Sequence, residues 1–507
     1  MTRHLLAALV AFPAAALFAQ DAPPVEPVPA SAETIAESLP VADSVVRVNS
    51  TNQPWQHSRP WTKRPPYSRR GIGVVIEGGR VLVTAELVAN HSYVELERAG
   101  SSEKVAADVV HIDYASNLAL LVPQDPKFLD GTRPVSLAEG VHVGSRLNVI
   151  QLENTGAAAL TPAVVTTVTV APYPGDEAVL LSYRLSVPMQ YRDNSFTLPV
   201  FLGDRLAGLL MRYDTRSQSA DLVPDAVIRN FLARVAKEPY QGFARAGLMF
   251  APTRDPQFRR YLGMNGKSGV YVVSVTHGGA AEKAGLKKGD VILQVENFDI
   301  DEDGYYNDPV LGKIPFSHLV STANLPGGSL KMRVLREGNE IDLALPLEPR
   351  DPATVISSPS ITDEPPRYYI LGGLVLQELS RSYLREWGGD WRSSAPPRLV
   401  YLDEFQDELP ADRGRIVFIS QVLPADTTVG YDGLATIVVE KINGREIKSL
   451  EDVAEAVKSP DGRFHKIELE SDPGVIFLDA KQVEETADDL QRAYGLPALS
   501  NLDKAAP

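Results

Sequence analysis

Gly79-Arg80-Val81-Leu82-Val83-Thr84-Ala85-Glu86-Leu87-Val88 leaves a glycine turn, runs through a short β-type apolar segment, and reaches Leu87, which decides much of the functional reading. Working outward, similar runs recur at Ser44-Val45-Val46-Arg47-Val48, Gly73-Val74-Val75-Ile76 and Leu118-Ala119-Leu120-Leu121-Val122, then at 147–152, 163–170 and 206–211. Short strands at such intervals, separated by turns, predict an all-β barrel rather than alternating strand–helix units. A helix over 224–236, apolar at Val227, Ile228, Phe231, Leu232 and Val235, closes this region.

Length and composition bound the rest. A chain of 507 residues, 44% hydrophobic and 23% charged, predicts several globular domains. Arg3 and His4 precede an apolar run over 5–18 and small residues near Ala19, the pattern of a secretory signal peptide over 1–19. The chain has no cysteine, which excludes disulfides and lipidation at cysteine. No later stretch has the length and apolarity of a membrane helix, so no membrane span is expected after signal cleavage. The formal charge of -15 argues against a nucleic-acid partner. Residues 20–43, rich in Pro and Ala, and 351–366, rich in Pro, Ser and Asp, read as linkers.

Serine proteolysis needs a hydroxyl nucleophile, an imidazole base, an orienting carboxylate and N–H donors for the oxyanion. Residues 45–122 resemble the HtrA/Deg serine proteases, in particular the plant-type subgroup with an extended C-terminal PDZ region. The resemblance lies in Pro54-Trp55-Gln56, Tyr67-Ser68, Gly71-Ile72-Gly73-Val74-Val75-Ile76, Gly79-Arg80-Val81-Leu82-Val83-Thr84 and Asn117-Leu118-Ala119-Leu120-Leu121. It implies that Leu87 stands at the histidine position and Asn117 at the aspartate position. Asp193-Asn194-Ser195-Phe196-Thr197 resembles the nucleophile loop, which makes Ser195 a vestigial nucleophile and puts Asp193 where the oxyanion-hole glycine belongs. Loss of the serine–histidine machinery costs on the order of a million-fold in turnover. His91, His111, His142 and Glu86 are the alternative bases in this region, each also readable as an ordinary surface or hydrogen-bonded side chain.

Gly269-Val270-Tyr271-Val272-Val273-Ser274-Val275 and Gly278-Gly279-Ala280-Ala281-Glu282-Lys283-Ala284-Gly285-Leu286, followed by Gly289-Asp290-Val291-Ile292, are similar to the core of PDZ domains. Such domains add an extended peptide to a sheet edge and hold its terminal carboxylate in backbone N–H groups. The resemblance maps this site onto Ala246, Gly247, Leu248, Met249 and Phe250, with a groove helix over 316–322 bringing His318 and Leu319 to the ligand, solvent or core. A second module resembles the same subgroup in Tyr368-Tyr369-Ile370, Gly372-Gly373-Leu374-Val375, Trp387, Trp391 and 417–423; there residues 425–434 replace the usual turn. Tyr383, Trp387 and Trp391 suit either a subunit interface or packing in their own domain. The acidic run 299–303 lacks calcium-loop spacing, and the basic, Trp-containing 59–70 suits the family's inter-subunit contacts.

The fold expected is therefore mainly β and multidomain: a trypsin-like double β-barrel over 44–237, PDZ over 240–350, a PDZ-like α+β domain over 367–500, and a tail at 501–507. The expected function is that of a proteolytically inactive HtrA/Deg-like protein, periplasmic or secreted, which binds exposed peptide segments or unfolded proteins through PDZ 1 as scaffold, holdase or regulator. The alternatives are an active serine endopeptidase using Ser195 with a non-standard base, and an assembly subunit of an active paralogue. A homo-oligomer is expected, and neither a metal nor a cofactor.

Overall fold

The computed structural model describes residues 41–503, apart from 99–102, 154–156, 175–177, 190–196, 238, 352–353 and 411. Two six-stranded barrels come first. Strands β1 (Val45–Asn52), β2 (Tyr67–Ile76), β3 (Arg80–Val83), β4 (His91–Arg98), β5 (Lys104–Asp113) and β6 (Leu118–Pro123) close in the order β1-β2-β3-β6-β5-β4. Strands β7 (Arg146–Leu152), β8 (Ala158–Pro172), β9 (Val179–Ser186), β10 (Pro199–Leu202), β11 (Arg205–Asp214) and β12 (Ser219–Pro224) close as β10-β11-β12-β9-β8-β7. Their β-branched residues face inward; Val46, Val48, Val81, Val83 and Leu121 are fully or almost fully buried in the first barrel. The predicted trypsin-like double barrel is the fold observed.

The helix Asp225–Val235 follows the second barrel and buries Val227, Ile228 and Phe231, as its spacing predicts. Next comes a sheet of β13 (Leu248–Pro252), β14 (Val270–Val275), β15 (Val291–Val295), β16 (Phe298–Asp299), β19 (Ser329–Arg336) and β20 (Asn339–Pro346). It is ordered β13-β14-β15-β19-β20 with β16 on β15, and a hairpin of β17 (Tyr305–Asp308) and β18 (Gly312–Pro315) is inserted. The final sheet holds β21 (Tyr368–Leu371), β22 (Leu374–Glu378), β23 (Val417–Val422), β24 (Ile437–Ile442), β25 (Arg445–Glu446), β26 (Phe464–Leu469), β27 (Val475–Asp479) and β28 (Ser500–Asn501). Its order is β27-β26-β24-β23-β22-β21-β28, with β25 on β24.

Several expectations change. The stretch 351–366 connects the two PDZ sheets, but it is packed: Ser357 Oγ donates to buried Asp403 (2.6 Å) and Ile361 N to Ser382 Oγ (2.8 Å). Asn501, the first residue of the expected tail, pairs with Tyr368 and donates through its side chain to Pro366 O (3.0 Å). Tyr383 and Trp391 are each 3% exposed and belong to an internal cluster with Leu399 and Phe418; only Trp387 reaches the surface. The run 59–70 turns onto its own chain. Trp61 packs edge-on against Tyr368 at 5.8 Å, and the Glu386 carboxylate accepts from His57 N (3.0 Å), Ser58 Oγ (3.2 Å) and Arg64 (2.6 Å). The acidic run 299–303 is a turn in which Asp301 Oδ1 accepts from Asp303 N and Tyr305 N while Lys313 neutralises it at 2.7 Å.

Asp225, the first residue of its helix, is buried with one carboxylate oxygen lacking any hydrogen-bond partner. Burial pushes its pKa up to about 6, against a smaller opposing pull from Arg229. Since the folded value lies above the unfolded one, this group's contribution is full below the unfolded pKa and is lost as pH rises through about 6. Asp225→Asn is therefore expected to raise the unfolding free energy by about 2 kcal/mol at pH 7.5 and by almost nothing at pH 4. Denaturant titration at the two pH values checks this, and an equal effect at both would contradict it.

Candidate functional site: a buried leucine turn and one open PDZ edge

Between β3 and β4 the chain makes one short helix, Ala85–Val88, which carries Leu87, the residue expected from the sequence to stand at the histidine position. Leu87 is 3% exposed and packs with Val46, Val88 and Leu121 in the first barrel's core. Asn52 ties the turn down, donating through Nδ2 to Leu87 O (3.1 Å) and Ala89 O (2.6 Å). Asn117 stands opposite, in a left-handed conformation (φ 54°) that asparagine tolerates well. Its main-chain oxygen accepts from Ala85 N (3.0 Å) and its Oδ1 from Glu86 N (3.0 Å), while its buried Nδ2 has no hydrogen-bond partner.

The structure thus brings the two positions together, and neither side chain there exchanges a proton in the physiological range. Asp193 and Ser195 lie outside the described residues. Thr197, just beyond them, is fixed by a hydroxyl contact with Thr84 and by accepting from Ile72 N (3.1 Å). Of the alternative bases, His91 Nδ1 faces Val88 O (2.9 Å), His142 Nδ1 faces Gly140 O (2.8 Å), and Glu86 faces Arg69 (3.4 Å). His111 lies on β5, half-buried. A cavity of about 580 Å³ lies between Glu86 and the strands β9, β11 and β12, with Arg184, Arg212, Asp214 and Asp221 on its wall. Tyr213, also on that wall, accepts from Met189 N (3.2 Å) and donates to Met189 O (2.8 Å), which anchors the chain leading into 190–196.

The first PDZ sheet offers a different kind of site. Strand β13 pairs with β14, Leu248 opposite Val275 and Met249 opposite Ser274, and its other edge carries no strand among the described residues. Gly247 precedes it at φ 67°, a conformation that glycine supplies at little cost. Gly247 O accepts from Thr276 N (2.9 Å) and Ala246 O from Ala281 N (2.9 Å), which fixes the entry turn. Met249 is 61% exposed and Phe250 is 36% exposed, its ring 5.2 Å from that of Phe316.

The helix Ser317–Ser321 lies where the groove helix was expected, but His318 and Leu319 are buried rather than open to solvent. His318 Nδ1 sits 2.7 Å from Tyr306 Oη, whose proton goes to Asp308 (3.1 Å). Burial holds the His318 pKa below its usual value, partly offset by Asp308. The helix end is docked on the second barrel, with Leu181 N donating to Thr322 Oγ1 (3.3 Å).

In the second PDZ sheet, β22 occupies the place that β13 holds in the first, following two glycines and pairing with the next long strand. Its outer edge is filled from within the chain: β21 pairs along it, with Ile370 opposite Val375, and β28 covers β21 in turn. Strand addition at β22 is thereby blocked by a covalently attached neighbour.

The PDZ domain family matches residues 253–302 and again residues 358–501. The chain is 24% identical to "Protease Do-like 4, mitochondrial" of Arabidopsis thaliana over 94% of this chain and 88% of that one. It is also 24% identical to "Protease Do-like 2, chloroplastic" of the same plant, over 92% and 76%. This chain is an HtrA/Deg-family protease homologue with PDZ domains. Among solved structures, "HtrA-type protease AlgW with decapeptide" aligns at 17% identity and a TM-score of 0.46, covering 62% of this chain and 99% of that one.

For this HtrA/Deg homologue, sequence reasoning missed the occupied β22 edge and the Glu386 junction. The Glu386 junction pairs residues more than three hundred positions apart, whereas β21 and β22 form a local hairpin whose sign was the strand-like run Tyr368-Tyr369-Ile370 ahead of Gly372-Gly373. The sealed turn makes its own prediction. Leu87→His removes apolar contacts and buries a ring with no carboxylate beside it, so it is expected to lower the unfolding free energy by about 2–4 kcal/mol. Unchanged stability in denaturant titration would contradict the buried placement.

Proposed function

We propose that this chain is a proteolytically inactive HtrA/Deg-like protein that binds exposed peptide segments or unfolded chains at the open edge of β13, as scaffold, holdase or regulator. The observation that carries the reading is the turn around Leu87. An apolar side chain fills the core where a base is needed, and the amide of Asn117 is bound to Glu86 N. A hydroxyl at Ser195 then lacks the imidazole and carboxylate that activate a serine nucleophile. Asp193 places negative charge in the loop that should stabilise an oxyanion, opposite to what acyl transfer requires.

Peptide capture is supported by β13. Its edge offers main-chain donors and acceptors for strand addition, and the Gly247 turn precedes it as a terminal-carboxylate nest would. Met249 and Phe250 supply exposed apolar surface beside that edge. The leader-like run at 5–18 supports action outside the cytoplasm, and no helix among the described residues is long and apolar enough to cross a membrane. A homo-oligomer, or assembly with an active paralogue, belongs to the same proposal.

Fluorescence anisotropy with a library of peptides bearing free C-termini tests the binding step. Binding is expected for a subset of them, lost on C-terminal amidation and weakened at least tenfold by Gly247→Val, which forces a β-branched residue into a left-handed turn. Indifference to both changes would contradict the assigned site. Casein incubated with the mature protein is expected to remain intact.

A further inference from the structure

We propose that the cavity at the junction between the barrel-closing helix and the first PDZ sheet is a binding site for a small organic carboxylate. The cavity encloses about 180 Å³ and lies between the end of the helix Asp225–Val235 and the turn that leads into β19. Pro239, Leu325 and Pro326 give it apolar walls, and Arg234, Lys237 and Gln241 supply the polar ones. No carboxylate stands on that wall among the described residues.

Arg234 carries the inference. The residue is 3% exposed, and its Nε, Nη1 and Nη2 are all buried without a hydrogen-bond partner. A guanidinium has five N–H donors, and leaving them unsatisfied away from water is costly for any fold. The Phe243 ring lies 3.7 Å from the group, which offsets part of that cost but leaves the N–H edge without an acceptor. Burial pulls the guanidinium pKa below its usual value, against an opposing pull from Tyr240 and Asp113, and the group stays charged. Asp113 is itself engaged: its Oδ1 accepts from Ala115 N (2.7 Å) and Ser116 N (3.4 Å), and its Oδ2 from Tyr240 Oη. The carbonyls at the helix end already accept from the main chain, Leu232 O from Ala236 N (3.2 Å) and Arg234 O from Lys237 N (3.0 Å). Lys237 is exposed, and its side chain has no ion pair or hydrogen bond among the described residues. The cavity therefore has two cations on its wall and no protein anion to match them.

The cavity is also held in shape from both sides. Asn230 on the helix donates to Thr322 O, Thr322 Oγ1 accepts from Leu181 N (3.3 Å), and Asn324 Nδ2 donates to Leu319 O (2.8 Å). These bonds fix the turn that bears Leu325 and Pro326 against the helix that bears Arg234. A planar guanidinium fork matches a carboxylate through two parallel hydrogen bonds, and an ammonium adds an adjustable point charge. The apolar walls suit a short hydrocarbon body, and the volume suits a small acid rather than a long ligand. The inference is independent of the peptide reading, since none of these side chains belongs to the β13 edge.

Isothermal titration of the full mature protein with sodium butyrate, at ionic strength held constant with sodium chloride, tests the site. Saturable one-to-one binding is expected, with none for butyramide, the neutral isostere. Arg234→Met and Lys237→Gln should each weaken it at least tenfold, whereas Lys481→Gln, an exposed lysine paired with Glu485 on a separate helix, should leave it unchanged. Arg234→Met removes an unpaired buried charge and is expected to fold; Lys237 is exposed, which keeps the test decisive if it does not. N-acetylvaline, which carries the amide that precedes a chain terminus, separates the sources: weaker binding than butyrate assigns a free acid, tighter binding a peptide end. The absence of saturable heat with butyrate, or undiminished affinity in a folded Arg234→Met or in Lys237→Gln, would overturn the proposal. So would a loss on Gly247→Val that spares Arg234→Met, since it would place the carboxylate at the β13 edge.

Discussion

The first barrel depends on one turn being closed by an apolar plug. Leu87 fills the space beneath Ala85–Val88, Asn52 binds the two main-chain oxygens that flank it, and Asn117 binds the main chain from the other side. On the reading proposed here, the corresponding place in an active hydrolase must admit an imidazole, hold its proton on one nitrogen, and set a carboxylate behind it. Those demands conflict with close apolar packing, because a polar ring and a charge must then be desolvated and satisfied by hydrogen bonds. Here the conflict is resolved toward packing. The buried Asn117 Nδ2 is left without a hydrogen-bond partner beside that packing.

The two PDZ modules divide along a similar line. A sheet edge either offers its hydrogen-bonding groups to a visitor or is covered by the chain's own residues. β13 is uncovered, whereas β22 is covered by β21 and β28. The covered module is also the one that holds residues 57–64 through Glu386 and Trp61, and its hydrophobic clusters enclose Tyr383 and Trp391. Its edges and aromatic residues are occupied within one chain. The module with the open edge meets the second barrel through the end of the helix Ser317–Ser321. A ligand on β13 would therefore lie one helix away from β9, the strand that leads toward Met189.

Much of the fold was legible because period-two burial is a local signal. The runs around Val46, Val74, Val81 and Leu120 alternate or saturate with β-branched and aliphatic residues, and all of them became barrel strands. The glycine turns around Gly247, Gly285 and Gly289 likewise announced the first PDZ sheet. What the sequence did not disclose depends on distant partners. An aromatic residue reads alike whether it faces solvent or an internal neighbour, so Tyr383 and Trp391 suited a subunit interface and internal packing equally, and Trp61 looked available to another subunit. The run 351–366 has a linker's composition, yet Ser357 and Ile361 find buried partners that only the folded chain supplies. His318 was placed on the right helix, but its burial follows from Tyr306 and the inserted hairpin of β17 and β18.

The central claim is that no proton acceptor serves Ser195, and reaction with a fluorophosphonate probe tests it most directly. Such probes phosphonylate an activated serine hydroxyl and leave an unactivated one alone. Intact-mass analysis of the mature protein after prolonged exposure, beside an active serine hydrolase as control, is predicted to show an unmodified chain. A single adduct that maps to Ser195 and disappears in Ser195→Ala would contradict the account.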